Sequence, residues 1–237
     1  MNVAVIFAGG VGSRMKSKSL PKQFLEVHGK PIIVHTLEHF EDHPDIGGIV
    51  VAILPEYREH LDRLIHRYEL TKVQIVDGGS TGQESRHHAL RHVADNYPSD
   101  TVVLIHDGVR PLISEELISA NINAVREHGS AITCTKVFET IVVSSTGRVD
   151  DVIPRELLYT AQAPQSFRLG EVLDAYDRAV ADGENDSIDS CSLMRRYGHS
   201  VYMVEGPRSN IKITTAEDFY VSRTFFQLVE TQQLMEA

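Results

Sequence analysis

Glycines that let backbone N–H groups close on an anion, followed at once by cations, make a phosphate site. The chain carries such a run near its N-terminus: Phe7-Ala8-Gly9-Gly10-Val11-Gly12-Ser13-Arg14-Met15, with Lys22 eight residues past Arg14. Between Gly10 and Lys30 the charges are Arg14, Lys16, Lys18, Lys22 and Lys30 against Glu26. The whole chain has a formal net charge of −10, so this is a basic island in an acidic protein. A small polyanion, a nucleotide above all, suits such an island; a solvated loop is the plain alternative. The acidic balance argues against a general nucleic-acid binder, which needs a basic face.

Three further clusters could do chemistry. They are Gly78-Gly79-Ser80 with Ser85 and Arg86, His106-Asp107-Gly108-Val109-Arg110-Pro111, and Asn210-Ile211-Lys212-Ile213-Thr214. Asp107 follows an apolar run, where a carboxylate can hold Mg²⁺ or cap a turn. Lys22 follows Pro21 on a stiffened backbone. Lys212, between Ile211 and Ile213, faces away from both if the segment is a strand. Arg155 follows Pro154 and could clamp a phosphate bidentately. Each cation has a bland alternative as a solvated side chain. Gly10-Val11-Gly12 is not a dinucleotide fingerprint, because Met15 stands where the third glycine belongs, and the chain has no G-K-[ST] phosphate loop. A dinucleotide-dependent oxidoreductase is therefore disfavoured.

The elements that must position these groups alternate. Val3–Phe7, Ile49–Leu54, Val73–Val76 and Thr101–His106 read as buried strands. Between and after them, helices are expected over Ile32–Glu41 behind Pro31, from Pro55 to Tyr68, over Glu84–Asn96, and from a Ser114 cap to His128. This alternation predicts an α/β fold: a Rossmann-like, mostly parallel sheet with helices on both faces. Such sheets bind ligands at the carboxyl ends of their strands, where the clusters fall.

Past residue 130 the pattern changes. Ile132–Val137, Thr140–Ser144 and Arg148–Ile153 are strand-like, the last two joined by a Ser145-Thr146-Gly147 turn. This hairpin leaves the sheet as an arm over about 137–157. Its edges need protection, which pairing with a second subunit would supply. Helices are expected over Leu169–Asp182 and Ile188–Tyr197, and strands over Ser200–Val204 and Asn210–Ile213. Thr214-Thr215-Ala216-Glu217 reads as a capping box opening the last helix. With no linker or repeat, residues 1–237 read as one domain plus the arm. No apolar run has the roughly 18 residues of a membrane span, and no signal peptide is expected. Cys134 and Cys191 match no metal spacing and read as reduced thiols, so a cytoplasmic protein is expected.

Ala8-Gly9-Gly10-x-Gly12-x-Arg14-Met15, Pro21-Lys22-Gln23-Phe24 and Gly29-Lys30-Pro31-Ile32 resemble the cytidylyltransferases that make CDP-activated alcohols. His106-Asp107-x-x-Arg110-Pro111, Pro164-Gln165-x-Phe167 and Asn210-Ile211-Lys212-Ile213-Thr214 match later motifs of that family, so the resemblance runs the length of the chain. It implies CTP and a polyol phosphate as substrates, Mg²⁺ as cofactor, and a homodimer. It implies that Arg14, Lys22 and Lys212 carry catalysis. Ala8, Gly9, Gly10, Gly79, Ser85 and Asp107 would bind the nucleotide, and Asp107 the metal. Thr140 and Arg155, from the arm, would hold the acceptor in the partner subunit's site, with Asp189 also on the acceptor side. Ser19–Phe24, Val109 and the Thr214-Thr215 ending look more like the D-ribitol 5-phosphate type; the 2-C-methyl-D-erythritol 4-phosphate type of isoprenoid synthesis is the alternative. Ribitol activation would serve teichoic-acid-like polymers and cell wall biogenesis. Four positions depart from the family pattern: Gly108 for alanine, Ala163 for threonine, Gly82 for arginine and Ile188 for threonine. Gly82, Ala163 and Ile188 keep open a second class, a catalytically weak nucleotide-binding protein.

Overall fold

A computed structural model gives the fold for residues 1–9 and 21–236; side chains of 230 and 232–236 are not described. Gly10, Gly12, Arg14, Lys16 and Lys18 thus lie outside the described residues. The elements run β1 (Asn2–Phe7), β2 (Glu26–Val27), β3 (Lys30–Pro31), α1 (Ile32–Asp42), β4 (Ile46–Ile53), α2 (Arg58–Arg67), β5 (Val73–Asp77), α3 (Gly82–Asn96), β6 (Val102–Asp107) and α4 (Glu115–His128). Then come β7 (Ser130–Lys136), β8 (Ile141–Val143), β9 (Asp151–Ile153), β10 (Tyr159–Arg168), α5 (Leu169–Ala181), α6 (Ser190–Arg196), β11 (Tyr202–Glu205) and α7 (Ala216–Glu236).

Seven strands form one sheet in the order β11-β7-β10-β6-β1-β4-β5. Among the described strands of this sheet, β10 alone runs antiparallel to its neighbours. The mostly parallel α/β architecture is therefore as expected. Strand side chains alternate between two cores. Ala4 and Ile6 of β1 join Ile49, Val51, Leu104 and the buried faces of α1, α2 and α4. Val3 and Val5 join Val50, Ala52, Val103 and the buried faces of α3, α5 and α6. Near-continuous apolar strands such as Ile49–Ile53 follow from this burial on both faces.

Caps set the helix starts. Ser114 accepts the Leu117 N–H (3.3 Å), as expected, and Gly129 ends α4 in the left-handed region with φ 86°. Elsewhere boundaries move. Pro55 opens a 3₁₀ turn, Pro55–Tyr57, before α2 begins. The last helix starts one residue later than the expected box: Thr215 accepts the Asp218 N–H (3.2 Å), and Asp218 accepts the N–H groups of Thr214 and Thr215.

The strand expected over Asn210–Ile213 does not form; that segment joins no ladder. Conversely, the pattern gives no strand over Tyr159–Arg168, yet β10 fills the gap between β6 and β7. Pro164 in its middle and a polar run hide it, since proline cannot donate to a ladder. The register shifts between Ala161 and Gln165 there. A buried polar network takes the place of apolar alternation. Ser166 donates to Asn121 Oδ1 (3.2 Å), Asn121 to Thr133 Oγ1 (3.0 Å), and Thr133 to the Pro164 carbonyl (2.9 Å).

The arm forms, but with shorter strands than expected. Ile141 pairs with Ile153 and Val143 with Asp151, so the connection spans Ser144–Asp150 rather than a tight turn at Ser145-Thr146-Gly147.

Candidate active site

The carboxyl edge of the sheet gathers the expected clusters. Phe7 sits in register between Ala52 and Asp107. The Ala8 N–H donates to Ala52 O (2.9 Å), Gly108 to Phe7 O (2.9 Å), and Gly78 to Ile53 O (2.6 Å). The chain thus leaves β1, β4, β5 and β6 along one line. Buried Gln23 donates to the Ala8 carbonyl (2.8 Å), which ties the Lys22–Phe24 turn beside the glycine loop. Lys22 is on that turn; Arg14 and Gly10 lie outside the described residues.

Gly9, Gly79 and Ser85 meet at one end of this edge. Ser85 Oγ accepts the Gly79 N–H (2.9 Å) and donates to Thr81 O (2.9 Å). A Cβ on Gly9 would stand 3.0 Å from the Phe7 ring and 3.3 Å from Ser85 Oγ. One on Gly79 would stand 2.2 Å from Glu84 Cγ, so only glycine fits there. Thr81 caps α3 by accepting the Glu84 N–H (3.1 Å), which sets Ser85 in the first turn.

Asp107 is the centre of charge. Its Oδ1 accepts from Lys212 Nζ (2.6 Å) and its Oδ2 from Arg110 Nε (2.7 Å). Arg110 also donates to Asn210 O (2.8 Å), and the Ile213 N–H reaches Val109 O (2.9 Å). The Asn210–Ile213 segment is therefore held against the loop after β6, which brings Lys212 to Asp107 without a strand. Val27, Ile32, Val109 and Ile213 pack beneath it, with Phe219 and Phe226 of α7. Burial works to raise the Asp107 pKa, but Lys212 and then Arg110 outweigh it and hold the carboxyl well below the usual range.

An open cleft follows, lined by Phe7, Arg86, Asp107, Arg110, Asp189 and Lys212 among others. Arg86 enters it from α3, one turn past Gly82, with its guanidinium 5.8 Å from the Phe7 ring. A cation absent at Gly82 thus returns on the next turn. Arg86 Nε donates to Tyr176 Oη (2.8 Å) and Nη2 to Ser187 O (3.1 Å). Tyr176 in turn shares a hydrogen bond with Ser190 (2.8 Å). Tyr176→Phe leaves the buried Arg86 Nε without its acceptor. The expected outcome is a loss of about 1–3 kcal/mol in urea unfolding.

Asp189 lines the same cleft, but its carboxylate is engaged. Oδ1 caps α6 at Ser192 N–H (2.7 Å), and Oδ2 accepts from Gln165 Nε2 (3.0 Å). Thr140 and Arg155 are not brought to the cleft of their own chain; both are exposed on the arm. Arg110, Arg86, Gln23 and Gln165 are the residues sequence reasoning passed over as site residues. Arg110, Gln23 and Gln165 lay inside motifs that were read for their neighbours.

His106 is buried beside Asp107, and burial pushes its pKa down to about 4. It stays neutral in the fold while the unfolded chain protonates near pH 6.5. Below that pH the unfolded state binds more protons, so stability falls as pH falls toward 4, by up to about 1.4 kcal/mol per pH unit. His106 Nε2 shares a hydrogen bond with Arg110 O (3.2 Å). His106→Gln keeps a donor there, and its urea midpoint should vary less than wild type between pH 7.5 and 5. Burial also raises both thiols, Cys191 to about 11, so neither is a ready nucleophile.

Residues 2–227 match the family model described as IspD, 2-C-methyl-D-erythritol 4-phosphate cytidylyltransferase. The chain belongs to the IspD family of cytidylyltransferases. It is 47% identical over 236 residues to a ribitol-5-phosphate cytidylyltransferase of Streptococcus agalactiae serotype III, covering 99% of each chain. It is 37% identical to the 2-C-methyl-D-erythritol 4-phosphate cytidylyltransferase of Thermosipho melanesiensis, over 93% of this chain and 96% of that one. The crystal structure of 4-diphosphocytidyl-2C-methyl-D-erythritol synthase from Anaerococcus prevotii superposes with a TM-score of 0.81 at 30% identity, covering 95% of both chains. This IspD-family chain is thus a nucleotidyltransferase of the cytidylyl-transferring kind, with Ala8, Gly9 and the Asp107 cluster at the carboxyl edge of its sheet. No helix among its described residues is long and apolar enough to cross a membrane.

Proposed function

We propose that this cytidylyltransferase transfers CMP from CTP to D-ribitol 5-phosphate, giving CDP-ribitol and pyrophosphate. The observation that carries the acceptor is the full-length 47% identity to an enzyme named for ribitol 5-phosphate, against 37% for one named for the methylerythritol phosphate. An oxygen of the acceptor phosphate attacks the α-phosphorus of CTP in line. The new P–O bond forms as the bond to the pyrophosphate oxygen breaks. The attacking oxygen is already anionic, so no general base is needed, and catalysis reduces to positioning and charge neutralisation. Arg14 and Lys22 bind the triphosphate. Lys212, paired with Asp107 on the cleft wall, serves the α-phosphate.

Mg²⁺ that accompanies a nucleotide needs one or two protein carboxylates, the remaining ligands coming from phosphates and water; the Asp107 carboxylate lines the cleft. Asp107 would hold it, and the ion when bound would neutralise triphosphate charge.

The test is pyrophosphate release with CTP, Mg²⁺ and a panel of ribitol, methylerythritol and glycerol phosphates. A kcat/KM at least about tenfold higher for ribitol 5-phosphate, some 1.4 kcal/mol of discrimination, is expected. The reverse order assigns the methylerythritol acceptor, and no release with any of them favours a binding protein.

The arm points to a homodimer. It carries Val142 at 50% and Val152 at 53% exposure, with Ile141 and Val143 beside them. Such an apolar, two-stranded hairpin is not stable alone in water, and a second copy would cover it. Thr140 and Arg155 would then serve the partner's cleft. Val142→Asp with Val152→Asp should give a monomer by light scattering with most activity lost. A fully active monomer would sink both the dimer and the service in trans.

A further inference from the structure

The root of the arm is gripped from the same short segment that carries Lys212. Gly206 lies flat on the sheet: its N–H donates to Cys134 O (2.8 Å), and a Cβ there would stand 2.5 Å from Thr133 Cγ2. Asn210 then donates to Ala163 O (2.7 Å), and its own carbonyl accepts from Arg110. Between these two anchors, Arg208 reaches outward. Its guanidinium sits 4.6 Å from the centre of the Phe138 ring. Phe138 is the second residue past the end of β7, where the arm departs, and it is 53% exposed. Arg155, on the returning side of the arm, donates from Nη1 to the Phe138 carbonyl (3.1 Å). Phe138 is therefore held by its ring from Arg208 and by its backbone from Arg155. Beyond it, residues 139–152 are all exposed, so the arm's direction within its own chain is set at this root.

We propose that Arg208 is a positioning residue for the acceptor: by stacking on Phe138 it fixes the arm root and, through Phe138, the orientation of Arg155. The proposal rests on the reading of Arg155 as an acceptor-phosphate contact. It also links each chain's own Lys212 segment to the arm that serves its partner. A cation over an exposed aromatic ring supports a modest effect, about two- to fivefold in affinity.

The test is a double-mutant cycle on the full enzyme, reading KM for ribitol 5-phosphate and for CTP separately. Arg208→Gln should raise the acceptor KM about two- to fivefold, leaving the CTP KM and the sedimentation coefficient unchanged. Arg208→Lys still offers the ring a cation and should return the acceptor KM close to wild type. Arg155→Ala should raise it further, and the double variant should match Arg155→Ala alone, because Arg208 acts through Arg155. An acceptor KM unchanged by Arg208→Gln but raised by Arg155→Ala overturns the positioning role and leaves the Arg155 reading standing. Effects that multiply make Arg208 an independent contact, which also overturns it. If Arg155→Ala itself leaves the acceptor KM unchanged, the Arg155 reading fails and the proposal with it.

Discussion

Lys212→Met should lower kcat by about 10²–10³, the scale of losing one preorganised charge-stabilising donor, while barely moving the melting temperature. The two effects separate because of where the ammonium sits. Its bond to Asp107 Oδ1 is short (2.6 Å), but the lysine side chain is 40% exposed. A partly exposed ion pair contributes about 0–1 kcal/mol to folding, or a few degrees at most for a chain of this size. Asp107 also keeps its second cation, Arg110, when Lys212 is lost. In the proposed reaction the charge on Lys212 matters when the α-phosphorus is attacked and negative charge moves onto pyrophosphate. CTP affinity, which the proposed reading assigns mainly to the glycine-rich segment, should change far less than kcat. Single-turnover rates with saturating CTP, beside a thermal melt, check both halves. A turnover within tenfold of wild type would remove Lys212 from the transition state.

Asp107→Asn should cost both rate and stability. Asp107 and Arg110 side chains are 16% and 11% exposed, and their bond is 2.7 Å. An amide leaves the guanidinium without its counter-charge, and it removes the partner of Lys212. Removing one member of such a pair typically costs several kcal/mol when buried; with this residual exposure about 2–3 kcal/mol is expected. The rate should fall by at least about 10³, because Lys212 loses its positioning partner and, in the proposed reaction, Mg²⁺ would lose its carboxylate. Asp107→Glu should not restore it, since a longer side chain cannot keep both contacts. Urea unfolding and steady-state kinetics on the same preparations decide this. A stable but inactive Asp107→Asn variant would show that Arg110 does not need the charge.

The contrast between these two variants depends on a contact no linear reading could supply. Lys212 and Asp107 are far apart in the chain, and the strand expected at Asn210–Ile213 would have positioned the lysine by pleat alone. Instead Arg110, the Val109 carbonyl and the Ile213 side chain hold an irregular segment in place. A single inward isoleucine between polar neighbours looks the same in sequence whether or not a ladder forms. Strand β10 was hidden for a related reason. Its buried serine and proline carbonyl are satisfied by Asn121 and Thr133, and its Gln165 by Asp189 and Cys191, all of which lie outside the strand.

The sequence by itself determined the layers and the place of the site. Apolar runs buried on both faces, punctuated by glycine and proline, require parallel strands covered by helices, and such a sheet offers its carboxyl edge to ligands. It also determined that a glycine-rich segment with cations follows the first strand in the chain. Tertiary structure decided which charges share that edge. It set Lys212 and Arg110 on the two oxygens of Asp107 and returned a guanidinium to the cleft at Arg86. It turned the Asp189 carboxylate to a helix cap, and it kept Thr140 and Arg155 away from their own chain's cleft. Local patterns are written by nearest neighbours and periodicity. The meeting of charges from separate elements is written only by how the packed layers place their ends.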